Sequence, residues 1–309
     1  MPIALSIERR GPIKGAQFPL QVALRDDATV GKLKDGISER VAILPVERQR
    51  ITTSENRALG NDDKRLEDLG VKSGDKLFVK DLGPQISWRT VFLVEYAGPL
   101  FIHPFIYYIA PHVWAYFGYP FTVSIVQKLT LLLCMLHFLK RELETIFVHR
   151  FSHATMPLFN IFKNSTHYWI LSGVLIAVGV YSPFHGEEAL LGLWRKSPTF
   201  LATCVIVWVL AEFGNLQTHI ILMRLRPPGT RVRNIPRGGL FEMVSCPNYF
   251  YEVLSWVAVT VMTMSFAALL FTLVSAAQMT VWAIKKHKAY RSEFQGTYPK
   301  RKIMYPFVF

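Results

Sequence analysis

Hydrophobic and polar positions alternate at period two over the first residues of the chain, with Ile3, Leu5 and Ile7 and then Leu20, Val22 and Leu24 falling on one face. This predicts a hairpin joined through GPIKGAQFP. The pattern then changes to helical spacing. Val30, Leu33, Ile37 and Val41 follow Thr29, a residue type that caps helices, and the stretch ends near Leu44-Pro45. Short strands are predicted around Arg50-Ile51-Thr52 and Lys76-Leu77-Phe78-Val79, separated by the polar NRALGNDDKRLEDLGVKSGD. Beyond residue 85 the pattern becomes apolar runs of the length that crosses a bilayer core, at about 90–110, 122–139, 168–184, 200–222 and 250–284. The last run is too long for one helix and is predicted to fold as two, turning near Met264-Ser265.

The strand and helix order of the first 80 or so residues, with LEDLGVKSGDKLFV near its end, resembles the ubiquitin-like fold. The expected fold class is therefore mainly α: a polytopic membrane helix bundle of about six spans with an N-terminal ubiquitin-like α+β domain. Residues 1–82 form the head and 88–309 the membrane domain, and 141–167 leaves room for a re-entrant seventh piece. Loop charges support an even number of crossings. No Lys or Arg separates the first two spans, and Arg195 and Lys196 are balanced by Glu187 and Glu188 between the third and fourth. The opposite side collects Lys140, Arg141, Arg150 and Lys163, then Arg224, Arg226, Arg231, Arg233 and Arg237, then a basic tail. The positive-inside rule places the head, these loops and the tail in the cytosol. Asn164-Ser165-Thr166 is a glycosylation sequon by pattern, and this topology predicts that it stays unmodified.

The net charge of +13 is accounted for by these flanking cations, which face lipid headgroups and set topology, so nucleic acid is not an expected partner. The three cysteines, Cys134, Cys204 and Cys246, form no CxxC and indicate neither disulfides nor zinc. MPIALSIERRG is charged too early for a cleavable signal. There is no GxGxxG after a strand, no P-loop, no HExxH and no nucleophile in a triad context, so the expected metal complement is none.

Ionisable groups inside apolar spans are costly and mark candidate sites, although for any single one an interhelical hydrogen bond is the simpler role. Glu95 lies in the first span, Glu212, Asn215, Gln217 and His219 stripe the fourth, and Glu252 opens the fifth beside Asn248, Tyr249 and Tyr251. With Lys140 and Arg141 they suggest a polar pocket open to the cytosol. Lys140, Arg141, Arg226 and Arg231 are the cations suited to phosphates, with lipid headgroups an equal role for Arg231 and Arg233.

Four stretches then resemble one family: HFLKRELETIFVHRFSHATMPLFNIFKNS (137–165), GNLQTHIILMRLRPPG (214–229), IPRGGLFEMVSCPNYFYEV (235–253) and WAIKKHKAYRSEFQGTYPKRKIMYPFVF (282–309). They are similar to the steroid 5α-reductase superfamily, and within it to the very-long-chain trans-2-enoyl-CoA reductases. The resemblance implies an endoplasmic reticulum enzyme that reduces the 2,3 double bond of a long-chain enoyl-CoA with NADPH, the last step of fatty acid elongation. Its expected partners are the bilayer, the enoyl-CoA and other elongation enzymes. By position, Tyr249 of the CPNY motif is the implied proton donor, with Tyr251 the second choice, and Glu95 orients the reacting end. Lys140, Arg141, Asn215, His219, Arg226, Asn248, Glu252, His287 and Tyr290 lie on motifs the family uses for NADPH. Steroid-reducing members carry Tyr where this chain has Phe138, which weakens a steroid substrate. A steroid or polyprenol enone reductase, and a non-catalytic membrane adaptor with a ubiquitin-like head, remain the alternatives.

Overall fold

The computed structural model describes residues 2–151, 154–225 and 234–309. The chain divides into two units, Met1–Trp88 with His153–Asn160, and Arg89–Ser152 with Ile161–Phe309.

In the first unit, β1 (Ile3–Arg9) pairs antiparallel with β2 (Leu20–Leu24), Ile3 opposite Leu24 and Ile7 opposite Leu20. β1 also runs parallel to β4 (Lys76–Asp81), which pairs antiparallel with β3 (Gln49–Thr52), giving the order β2-β1-β4-β3. That topology, with helix α1 (Val30–Arg40) following β2, is the one expected of a ubiquitin-like head. Period-two burial puts Leu5 and Ile7 against Val30, Leu33 and Ile37, all fully buried, and removing such side chains from water drives the fold. Thr29 caps α1 by accepting from Lys32 N–H at 3.3 Å. Arg48 clamps Asp81 through two hydrogen bonds, Nε at 2.9 Å and a shorter one from Nη2. The unit also holds a strand pair that sequence reading did not anticipate. β5 (Gln85–Ser87) pairs antiparallel with β6 (Thr155–Pro157), and Trp88 Nε1 donates to Thr155 O at 3.0 Å.

The second unit is helical. Its elements are α2 (Trp88–Tyr116), α3 (Ile125–Phe147), α4 (Phe159–Ser165), a π-helix (Thr166–Leu175), α5 (Ile176–Val180), α6 (Pro198–Arg224), α7 (Pro247–Thr263) and α8 (Phe266–Glu293). Helix therefore occupies every stretch predicted to span. Among the described residues, three helices, α2, α6 and α8, are long and apolar enough to cross a membrane. α3 carries the charged Lys140-Arg141 end, α7 is only 17 residues long, and the third stretch is split by its π segment. Pro99, Pro104 and Pro111 lie inside α2, where neighbouring helices rather than water must satisfy the freed carbonyls. α3 starts with a capping box between Ser124 and Gln127. The predicted turn lies at Met264, which adopts φ 50° and separates α7 from α8.

Candidate active site

Four side chains at positions i, i+3, i+4 and i+7 share one face of α3: His137, Lys140, Arg141 and Glu144. They meet Glu212, Asn215 and His219 of α6, and Asn248 and Glu252 of α7. His137 Nδ1 is 2.7 Å from Glu212 Oε1 and its Nε2 is 3.2 Å from Glu252 Oε1. Lys140 Nζ donates to Glu212 Oε2 at 2.9 Å and Asn215 Oδ1 at 2.6 Å, with Glu144 Oε1 at 3.4 Å. Arg141 Nη1 donates to Glu144 Oε2 at 2.6 Å, and its Nη2 to the Tyr96 hydroxyl at 2.9 Å. Asn215 Nδ2 donates to Asn248 O at 2.9 Å and Glu252 Oε2 at 3.2 Å. His219 Nδ1 lies 3.1 Å from Glu144 Oε1. Buried charge is tolerable only when opposite charge and hydrogen bonds compensate it, and here three carboxylates interleave with Lys140, Arg141 and His137.

A second group surrounds the start of α7, held by the C-terminal segment. Ser245 N–H donates to Lys302 O at 2.9 Å and Cys246 N–H to Ile303 O at 3.0 Å. Tyr298 donates to Ser245 Oγ at 2.7 Å, and Ser245 Oγ lies 2.6 Å from His287 Nδ1. Tyr290 stacks on Tyr298 at 5.5 Å and 12°, with the Arg301 guanidinium 5.0 Å from the Tyr298 ring. Tyr249 is half-buried against Cys246, Met279 and Ala283, with Lys286 Nζ 5.7 Å from its ring centre.

Of the residues expected from sequence, Lys140, Arg141, Asn215, His219, Asn248 and Glu252 converge in the first group, and Tyr249, His287 and Tyr290 in the second. Arg226 lies outside the described residues, as do Arg231 and Arg233. Glu95 is buried beside Tyr96, and its neighbours include the Asn164 side chain and Arg141. No hydrogen bond joins Glu95 and Tyr249 among the described residues; the Arg141 guanidinium is an electrostatic neighbour of both. The Tyr251 ring packs on the Gly214 backbone, where an added Cβ would meet it at 2.6 Å. His137 and Glu144 were missed from sequence although the i, i+3, i+4, i+7 spacing from Lys140 and Arg141 carries them. Glu144, His149 and His219 form a cluster of metal-ligand type, but Arg141 Nη1 sits 2.6 Å from Glu144 and 3.4 Å from His219, so a guanidinium already supplies the positive charge there.

Buried polar atoms in this region without a hydrogen-bond partner among the described residues include Glu95 Oε2, Arg141 Nε, Asn248 Oδ1 and His149 Nδ1, together with His137 Nε2 and Glu144 Oε1, whose contacts are ion pairs. Orphaned polar atoms cost free energy in a closed core, and they gain partners when a polar ligand enters.

The sequence profile described as 3-oxo-5-alpha-steroid 4-dehydrogenase matches residues 154–309. The very-long-chain enoyl-CoA reductase of Dictyostelium discoideum is 42% identical over 91% of this chain and 92% of its own. The chain belongs to this reductase family. A Schizosaccharomyces pombe protein that bears an enoyl reductase name is 45% identical over 95% of this chain and 94% of its own. The human trans-2,3-enoyl-CoA reductase-like protein is 32% identical over 79% of this chain and 67% of its own. A solved ubiquitin from Caldiarchaeum subterraneum aligns with 26% of this chain and 94% of its own at 30% identity, with a TM-score of 0.23.

Proposed function

We propose that this chain is the NADPH-dependent reductase that saturates the 2,3 double bond of very-long-chain trans-2-enoyl-CoA, the closing step of fatty acid elongation. The observation that carries the reading is the set of orphaned atoms on Glu95, Arg141 and Asn248, inside a helix bundle whose relatives bear enoyl-CoA reductase names. The chain is an oxidoreductase acting on a carbon–carbon double bond. We further place it in the endoplasmic reticulum membrane with six crossings, the head and tail cytosolic, where other elongation enzymes hand over the substrate.

The residues fit a nicotinamide dinucleotide. Asn248 Oδ1 is an acceptor without a donor, suited to a carboxamide N–H, and the Tyr290 and Tyr298 rings form a stacked aromatic surface. Lys140 and Arg141 are committed to Glu212, Asn215, Glu144 and Tyr96, which makes them struts of the cofactor pocket; Arg141 keeps its Nε–H for a ligand. When bound, NADPH supplies the hydride that reaches the β-carbon. Charge then develops on the thioester oxygen, and the α-carbon must receive a proton. Tyr249 supplies it: a phenol is protonated at neutral pH and can release its proton in the transition state. Lys286, over the ring, favours the phenolate that remains.

The test is loss of reduced-cofactor absorbance by the purified protein with a long trans-2-enoyl-CoA or a 4-ene-3-ketosteroid. Turnover is expected with the CoA ester only, falling about 10²–10⁴-fold in Tyr249→Phe. Full activity of that variant removes the donor assignment, and turnover of the steroid alone replaces the substrate.

A further inference from the structure

Reduction of an enoyl thioester needs a hydrogen-bond donor at the carbonyl oxygen, where charge accumulates before the α-carbon is protonated. Phe138, at the position where steroid-reducing members carry Tyr, has no hydroxyl and cannot serve. Tyr96 is committed as well. Its hydroxyl accepts from Arg141 at 2.9 Å and is hydrogen-bonded to the neighbouring Glu95.

One phenol beside these groups is uncommitted. Tyr168 lies on the π-helix, its ring edge-on to Tyr96 at 5.1 Å and to Phe138 at 6.2 Å. Its hydroxyl has no hydrogen-bond partner among the described residues, and the charged groups facing it are Glu95, Glu252 and Arg141. The π-helix sets this position by packing closely on α2. Trp169 Nε1 donates to Val94 O at 3.0 Å, and the Trp169 ring covers Gly98, where any Cβ would collide with it. Helical segments with this wider hydrogen-bonding frame recur at functional sites, where they re-aim side chains.

We propose that Tyr168 is a further catalytic residue, whose hydroxyl donates the hydrogen bond to the thioester carbonyl oxygen next to Glu95. The inference rests on the enoyl-CoA reductase reading. In this scheme hydride adds to the β-carbon and the π electrons of the double bond move toward the thioester, placing charge on its oxygen. The Tyr168 O–H holds that oxygen without transferring its proton. The carbonyl re-forms as the α-carbon takes the Tyr249 proton, and the resulting phenolate recovers a proton from water.

The experiment compares the full-length protein with Tyr168→Phe in detergent or nanodiscs. It uses trans-2-hexadecenoyl-CoA as substrate, and hexadecanoyl-CoA and S-hexadecyl-CoA as competitive ligands that differ in the carbonyl oxygen. The variant is expected to lose about 10²–10³-fold in kcat with an unchanged NADPH dissociation constant. Wild type is expected to prefer the thioester over the thioether by about 3–10-fold, and the variant to lose that preference. Incorporating 3,5-difluorotyrosine at position 168 retains the ring and strengthens the donor, so the carbonyl stretch of bound ¹³C-labelled hexadecanoyl-CoA is expected to move further to the red. A kcat within about twofold of wild type, an unchanged thioester preference in the variant, or an unmoved carbonyl stretch overturns the proposal. Absence of turnover by wild type in the same preparation sinks the parent reading, whereas wild-type turnover with any of those three results sinks only the role of Tyr168.

Discussion

Single side chains decide whether this bundle is a scaffold or a catalyst. Glu212 holds both His137 and Lys140, so Glu212→Ala leaves two buried donors of α3 facing one another without their shared acceptor. Breaking a buried pair in this way is expected to cost about 3–5 kcal/mol, read as a lowered midpoint in thermal unfolding of the detergent-solubilised protein. An unchanged midpoint would show that the network contributes no net stability. In the head, the Arg48 guanidinium beside Asp81 holds its carboxyl below the usual carboxylate range. A carboxyl whose folded pKa is depressed contributes stability that is complete above its unfolded value and is lost as pH falls through the folded one. Protection factors against hydrogen exchange in residues 1–88 of the full chain are therefore expected to fall below about pH 4, and Asp81→Asn to weaken that fall. Much of the polar set was legible because an ionisable residue in an apolar span has few innocent explanations. His137, Glu144 and Tyr168 were not, since nothing in composition separates a span-end His or Tyr that meets a ligand from one that meets a neighbouring helix.

At the scale of elements, the close approach of α6 and α7 is what brings Asn215 to Asn248 and Glu252. Gly214 permits it. A Cβ there would meet the Tyr251 ring at 2.6 Å, so the ring or α7 must shift. Gly214→Ala is expected to lower NADPH affinity by several-fold through displaced Asn248 and Glu252, measured by quenching of nicotinamide fluorescence; unaltered affinity would place the cofactor away from this junction. Helix α1, the head strands and the break at Met264 could be read from spacing and turn chemistry, because each follows a local rule. Two elements could not. The β5–β6 pair joins segments some 70 residues apart, a register no local pattern fixes, and the π-helix departs from the 3.6-residue period on which helix reading depends.

For the whole molecule, the proposed membrane orientation makes its own prediction. With the head and tail cytosolic, Asn164 of the sequon stays on the side where no glycan is added, and endoglycosidase treatment of protein made in microsomes is expected to leave its mobility unchanged. A shift abolished by Asn164→Gln would invert the orientation. On the proposed orientation, the ends of α3, α6, α7 and α8 that carry the polar cluster would face the cytosol and a water-borne dinucleotide, and the apolar bundle behind them would face an acyl chain from lipid. Hydride transfer to an enoyl thioester can be followed atom by atom. Purified protein is given trans-2-enoyl-CoA and NADPH deuterated at the transferred position of C4, and the saturated product is analysed by mass spectrometry. One deuterium on the β-carbon, with the α-hydrogen drawn from solvent, is the expected result; product without that label, or label on the α-carbon, would contradict the account.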